Sequence, residues 1–139
     1  MRARKIDSVA QSNVAENRNY KRILVLLDGS SAAEQAITAA VDLAPNTQTE
    51  IVLICMAGTG MQAYIDKETT ALRRQHKNVR GYLINEKVTD LPAWVNKSEK
   101  PDAIVMTQKP VGWIGRLLGG DHAAVLKSRT NADVYTVKV

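Results

Sequence analysis

What most constrains this chain is the placement of its uninterrupted apolar runs. Ile23–Leu27, Ile51–Cys55 and Ala103–Met106 contain no polar side chain. Each has the length of a strand and is too short for a buried helix. A strand apolar on both faces needs cover on both, so these runs predict central strands of a parallel sheet. The segments between them are spaced as helices. Ala33, Ile37, Ala40, Val41 and Ala44 fall on one face of a helix that ends at Pro45-Asn46. Met61, Tyr64, Ile65, Thr69 and Leu72 mark a second helix. Leu91, Trp94 and Val95 mark a short third, with Pro92 in its first turn, where a missing N–H is harmless. Ala124 and Val125 give the inward face of a last helix.

NVRGYLIN and ADVYTVKV complete the strands. NVRGYLIN is less apolar and is expected nearer an edge. In ADVYTVKV, Tyr135, Val137 and Val139 line the more apolar face, and Val134, Thr136 and Lys138 the more polar one. Such uneven alternation fits an edge strand or one that pairs across a dimer. Strands and helices therefore alternate through five strands. Helical crossovers make such strands parallel, with helices on both faces, a doubly wound α/β fold of Rossmann-like type. Ligands of such sheets bind beyond the carboxyl ends of the strands, where strand order reverses. Two loops are candidates for that position: Asp28-Gly29-Ser30, with a serine available to cap the helix that follows, and the long loop after Met106.

The totals exclude several classes. A chain of 139 residues, 45% hydrophobic and 24% charged, fits one globular domain. The domain is expected over residues 21–139, preceded by a basic, flexible extension over 1–20; a helix docking on the domain or on a partner is the alternative for that segment. Residues 1–22 hold six basic and two acidic side chains, and the other 117 hold 13 and 12. The net charge of +5 thus belongs mostly to the leader. A nucleic-acid face should show inside the domain, and aromatics for stacking are 4%, so no nucleic-acid partner is expected. The single cysteine, Cys55, sits in an apolar run and is expected buried and reduced, in a cytoplasmic protein. His76 and His122 lie far apart with no second cysteine, so no metal site is expected. No apolar run approaches the ~20 residues that span a bilayer, and no secretory signal is expected, since the N-terminal arginines are not followed by an apolar stretch.

The loop PVGWIGRLLGGDH, residues 110–122, carries the functional question. With RILVLLDGSSAAEQAITAAVDLA, TEIVLICM and PDAIVMTQKPVGWIGRLLGGDHAAVLKSRTNADVYTVKV, the chain resembles the universal stress protein family over about residues 20–139. The resemblance implies a five-stranded parallel sheet of order 3-2-1-4-5 and a homodimer. It also implies an adenine-nucleotide site in members that keep a glycine signature after the fourth strand: glycine, two residues, glycine, nine residues, glycine, then serine or threonine. Laid on this chain, those positions hold Thr107, Pro110, Gly120 and Asp121, so only the third glycine is kept. The family's strand aspartate is kept as Asp28, beside Gly29; the proline two residues before it is Leu26. The residues to watch as cofactor-binding are therefore Asp28, Gly29, Thr107, Lys109, Gly120 and Asp121.

A phosphate loop works through bare backbone N–H groups. Thr107 adds a branched side chain, and Pro110 removes a donor. Asp121 precedes a helix, where it can cap as well as a serine but brings a fixed negative charge. Two anions about 4 Å apart repel by roughly 1 kcal/mol in water-like surroundings and roughly 4 kcal/mol near a protein surface. A lost charge-assisted hydrogen bond costs about 1.5–3 kcal/mol more. Together these would weaken a micromolar site to about millimolar. Lys109 and Arg116 argue the other way, as cations beside the loop.

Trp113, Ile114, Leu117 and Leu118 admit three readings: a plug folded into the cleft, an exposed knob for a protein partner, or a lid over another ligand. Adjacent Asp121 and His122 point different ways on a helix and do not make a catalytic pair. No catalytic residue is identified. The leading expectation is a non-enzymatic, homodimeric regulatory protein, paired through its C-terminal strand, with weak or no ATP binding. The alternative is an adenine-nucleotide sensor with a rearranged phosphate loop. An enzyme is disfavoured because neither a Gly-x-x-x-x-Gly-Lys loop nor a Ser-Gly-Gly loop follows the first strand.

Overall fold

The computed structural model describes residues 6–7, 19–108, 112–118 and 121–138. Five parallel strands form the sheet: β2 (Arg22–Leu26), β3 (Glu50–Met56), β4 (Val79–Ile84), β5 (Ala103–Thr107) and β6 (Asp133–Val137). Their order across the sheet is β4-β3-β2-β5-β6. Counting the parallel strands alone, this is the expected 3-2-1-4-5. A sixth strand, β1 (Ile6–Asp7), lies outside β6 and runs antiparallel to it, with Ile6 opposite Val137 and Asp7 opposite Thr136. These two residues fall within the segment read from sequence as a basic extension.

The strands alternate their side chains between two separate cores. Ile23, Val25, Leu27, Ile51, Leu53 and Cys55 face one side, with α1 (Ala33–Asp42) and α2 (Met61–Arg73). Leu24, Leu26, Val52, Ile54, Ile104 and Met106 face the other, with α3 (Leu91–Ser98), α4 (Trp113–Leu118) and α5 (His122–Arg129). The apolar runs are central strands because both faces are covered. Small side chains let α1 lie close to the sheet, with Ala33, Ala36, Ala39 and Ala40 buried. Opposite α2, a side chain at Gly81 would put its Cβ 1.9 Å from the Thr69 hydroxyl, so β4 can meet this helix there only as glycine.

Three local readings change. No side chain caps α1: Ser30 instead donates its hydroxyl and its backbone N–H to Asp28 Oδ1, at 2.6 and 3.0 Å. The inward residues of α5 are Ala123 and Leu126, while Ala124 is exposed. In β6, Val134 and Thr136 are buried like Tyr135 and Val137, because helices cover both faces of this strand as well. Among the described residues no helix is long and apolar enough to cross a membrane.

Candidate functional site

The carboxyl ends of β2 and β5 are neighbours, since Val25 pairs with Val105. Asp28 follows β2, half-buried, with its Oδ1 held by Ser30. Gly29 then turns the chain with φ of +83°, a left-handed conformation that favours glycine. Thr107 is the last residue of β5, buried and paired with Val137, so its side chain belongs to the sheet. Asp121 caps α5, its Oδ1 accepting the Ala124 N–H at 3.1 Å. Lys109, Pro110, Gly119 and Gly120 lie outside the described residues.

The loop read from sequence as irregular contains α4. Trp113, Ile114, Leu117 and Leu118 are spaced as one helical face, and Trp113, Ile114 and Leu118 are buried. An exposed docking knob made of these four side chains is therefore corrected: burying them against the sheet is more favourable than showing them to water. Trp113 enters the crevice beside Asp28. Its indole N–H donates to the Leu27 carbonyl at 2.9 Å, at the point where β2 gives way to the Asp28 turn. A buried indole needs such a partner, and here it takes a backbone acceptor that sheet pairing leaves available.

Other buried side chains stand nearby. Cys55, 1% exposed, lies with its sulfur 3.5 Å from that of Met61. Burial pushes the Cys55 thiol up, with the Asp28 charge adding to the effect and hydrogen bonds from the Met56 backbone and then the Trp113 side chain working against it. The Met61 sulfur and methyl lie 3.9 Å from where a Cβ on Gly29 would sit. Tyr64 places its hydroxyl in the same region, buried and without a hydrogen-bond partner among the described residues. Burial pushes the Tyr64 hydroxyl up, and the Glu68, Cys55 and Asp28 charges act in the same direction. The structure thus brings together Asp28, Gly29 and Trp113, and adds Cys55, Met61 and Tyr64. Helical spacing had identified Met61 and Tyr64 as core, but nothing in the pattern said they stood at the ligand end of the sheet.

Among the described residues, no three His, Cys, Asp or Glu side chains are grouped so as to hold a metal ion. An opening lies at the opposite end of the sheet, a polar cleft of about 610 Å³ lined by Asn19, Asn96, Lys100, Asp102, Asn131 and Asp133, among others.

A sequence profile of the universal stress protein family matches residues 19–138. No curated protein matches the chain. A solved universal stress protein in complex with cAMP superposes with a TM-score of 0.60 at 20% identity, over 86% of this chain and 98% of its own. Universal stress protein UspA from Lactobacillus plantarum gives 0.59 at 18% identity, over 87% and 99%. Protein Rv1636 from Mycobacterium tuberculosis H37Rv gives 0.55 at 21% identity, over 88% and 98%. Likeness at this level of identity speaks for the fold.

Proposed function

Since the chain belongs to the universal stress protein family, we propose that it is a non-enzymatic, homodimeric regulatory protein of the cytoplasm with weak or no ATP binding. Its output is contact with other protein chains. One observation carries the reading: the Trp113 indole is buried against the Leu27 carbonyl, inside the crevice that the fold offers to a ligand. A nucleotide base entering there has to displace a buried ring and the hydrogen bond it makes. At the other side, Asp121 keeps α5 capped and holds a carboxylate at the helix start, where a triphosphate needs neutral donors. The residues present do not suit ATP, so no step is assigned to it.

Isothermal titration of the full chain with Mg-ATP tests this reading. The expected result is no saturable binding tighter than about 10 μM, and a tighter constant refutes it. Asp121→Ser serves as the informative variant, because serine caps as well as aspartate without the charge. It should bind Mg-ATP more tightly than the parent while leaving stability within about 0.5 kcal/mol.

The alternative reading, an adenine-nucleotide sensor, is favoured by the Tyr64 hydroxyl, an orphaned buried polar atom near Asp28. A structural neighbour was solved with cAMP, which makes cyclic nucleotides worth including in the test. Thermal melting with ATP, ADP, AMP and cAMP decides: a rise with any of them supports the sensor, and no rise with all four removes it.

A further inference from the structure

The last parallel strand has two edges with different occupants. Toward β5, Asp133 donates its N–H to the Asp102 carbonyl at 2.9 Å, and Val137 accepts from the Gln108 N–H at 2.9 Å. Backbone groups of successive strand residues point to opposite edges. Residues 133, 135 and 137 therefore face β5, and Val134 and Thr136 face outward. Asp7 stands opposite Thr136 and Ile6 opposite Val137, antiparallel. Asp7–Thr136 is thus the pair whose backbone groups face each other, and Ile6–Val137 is the pair whose groups face away. Both faces of β6 are buried. What this strand has left to offer a partner is its outer edge.

We propose that β1 is an internal competitor for the edge at which a second copy of the chain pairs, so that Asp7 limits how strongly the protein dimerises. Two β6 strands brought edge to edge by a twofold axis run antiparallel, because a twofold axis normal to the strands reverses their direction. β1 already lies antiparallel to β6 and offers Thr136 the same N–H and C=O that a second β6 would. The two arrangements exclude each other at this residue. The internal one is short, two residues against the five of a second β6. It compensates by being intramolecular, since a segment of the same chain joined through few residues meets its site at an effective concentration in the millimolar range. A weak ladder at high local concentration is a competitor that modest changes can dislodge. An uncovered edge, in turn, is a template for another strand.

The proposal rests on the homodimer reading, and the test separates the two. Full-length wild type, Asp7→Pro and Ile6→Pro are compared by sedimentation velocity from about 1 to 100 μM, a range that covers ordinary reversible association. Proline at position 7 removes the N–H that faces Thr136, whereas proline at position 6 removes one that faces away. The expected result is a dimer dissociation constant about tenfold or more lower for Asp7→Pro, equivalent to ~1.4 kcal/mol, with Ile6→Pro much closer to wild type. Equal constants for all three overturn the competitor and leave the dimer standing. Absence of dimer in all three overturns the homodimer reading and the proposal with it. A dimer in wild type that is lost in Asp7→Pro also overturns the proposal, since β1 would then build the dimer. Hydrogen exchange at the Thr136 amide gives a second readout. It should be slow and independent of concentration in wild type, and in Asp7→Pro fast when dilute and slow when concentrated. Fast exchange in wild type sinks the proposal.

Discussion

At the carboxyl ends of the parallel strands, an indole, a thiol and a thioether gather where β2 gives way to the Asp28 turn. At the amino ends, charges and hydroxyls are tied to one another and a polar cleft stays open. There Arg80 bridges Glu50 and Glu99, and Arg22 reaches Glu50 and the Glu99 carbonyl. Tyr82 donates to Glu99. Tyr20 donates to Asp133 at 2.8 Å and meets the Tyr135 hydroxyl at 2.6 Å. In a doubly wound sheet the carboxyl end is the ordinary place for a ligand. Here the part of that end beside Asp28 carries a buried indole and buried sulfur side chains, with a separate opening of about 450 Å³ beyond β3 and β4 at Ala57, Leu83 and Asn85, while the amino end keeps a polar cleft. Position in the fold says where a ligand could sit, and the side chains decide whether one does.

The sharpest way to break this contrast is to empty the filled end. Trp113→Ala should cost about 3–5 kcal/mol in urea denaturation, the ordinary loss for a buried aromatic. Trp113→Phe keeps the bulk but leaves the Leu27 carbonyl without its donor, and should cost about 1–3 kcal/mol. A Trp113→Ala loss within about 0.5 kcal/mol would mean that the ring is not part of a core at all.

A smaller effect is expected at the polar end. Tyr20→Phe strips one partner from both Asp133 and Tyr135, at a cost of about 1–2 kcal/mol. The double variant Tyr20→Phe/Tyr135→Phe should cost less than the sum of the two single changes, because the hydroxyls meet each other. Strict additivity would show that the pair is not coupled.

The smallest effect concerns acid. A hydrogen bond from Arg80 holds the Glu50 carboxyl below its usual value of 4.5, and Arg22 adds to this against the opposing effect of burial. A depressed folded-state value means stability that is present above about pH 4.5 and lost as pH falls through the folded value. Glu50→Gln lacks this contribution. Its deficit against wild type, on the order of 1 kcal/mol or less because both arginines are partly exposed, should shrink between about pH 6 and pH 3. A deficit that stays constant over that range would show that the carboxylate charge contributes nothing.

The fold was legible because Ile23–Leu27, Ile51–Cys55 and Ala103–Met106 admit little but central strands, and α1 shows its small face in the spacing of its alanines. Other features obeyed weaker signals. α4 was hidden because Gly112, Gly115, Gly119 and Gly120 read as a phosphate loop, although Trp113, Ile114, Leu117 and Leu118 carry helical spacing. The phase of α5 is set by where Asp121 caps it, and that brings Ala123 rather than Ala124 inward. β1 is two residues in a polar leader, and its pairing depends on an edge created more than a hundred residues later. Beside Asp28 and Gly29, both singled out in the sequence, the spacing did not show that Met61, Cys55 and Tyr64 would stand. That convergence comes from the crossovers, which no local pattern records.

Placing a tryptophan beside the Asp28 turn has an optical consequence. Trp113 is 5% exposed and bonded to a carbonyl, whereas Trp94, the other indole of the chain, is half-buried beside Tyr82. Shielded indoles emit at shorter wavelength than hydrated ones, so in a Trp94→Phe background the emission colour follows the crevice alone. Whatever pries that ring from Leu27 announces itself by a red shift, and the protein needs no added dye to say when its pocket opens.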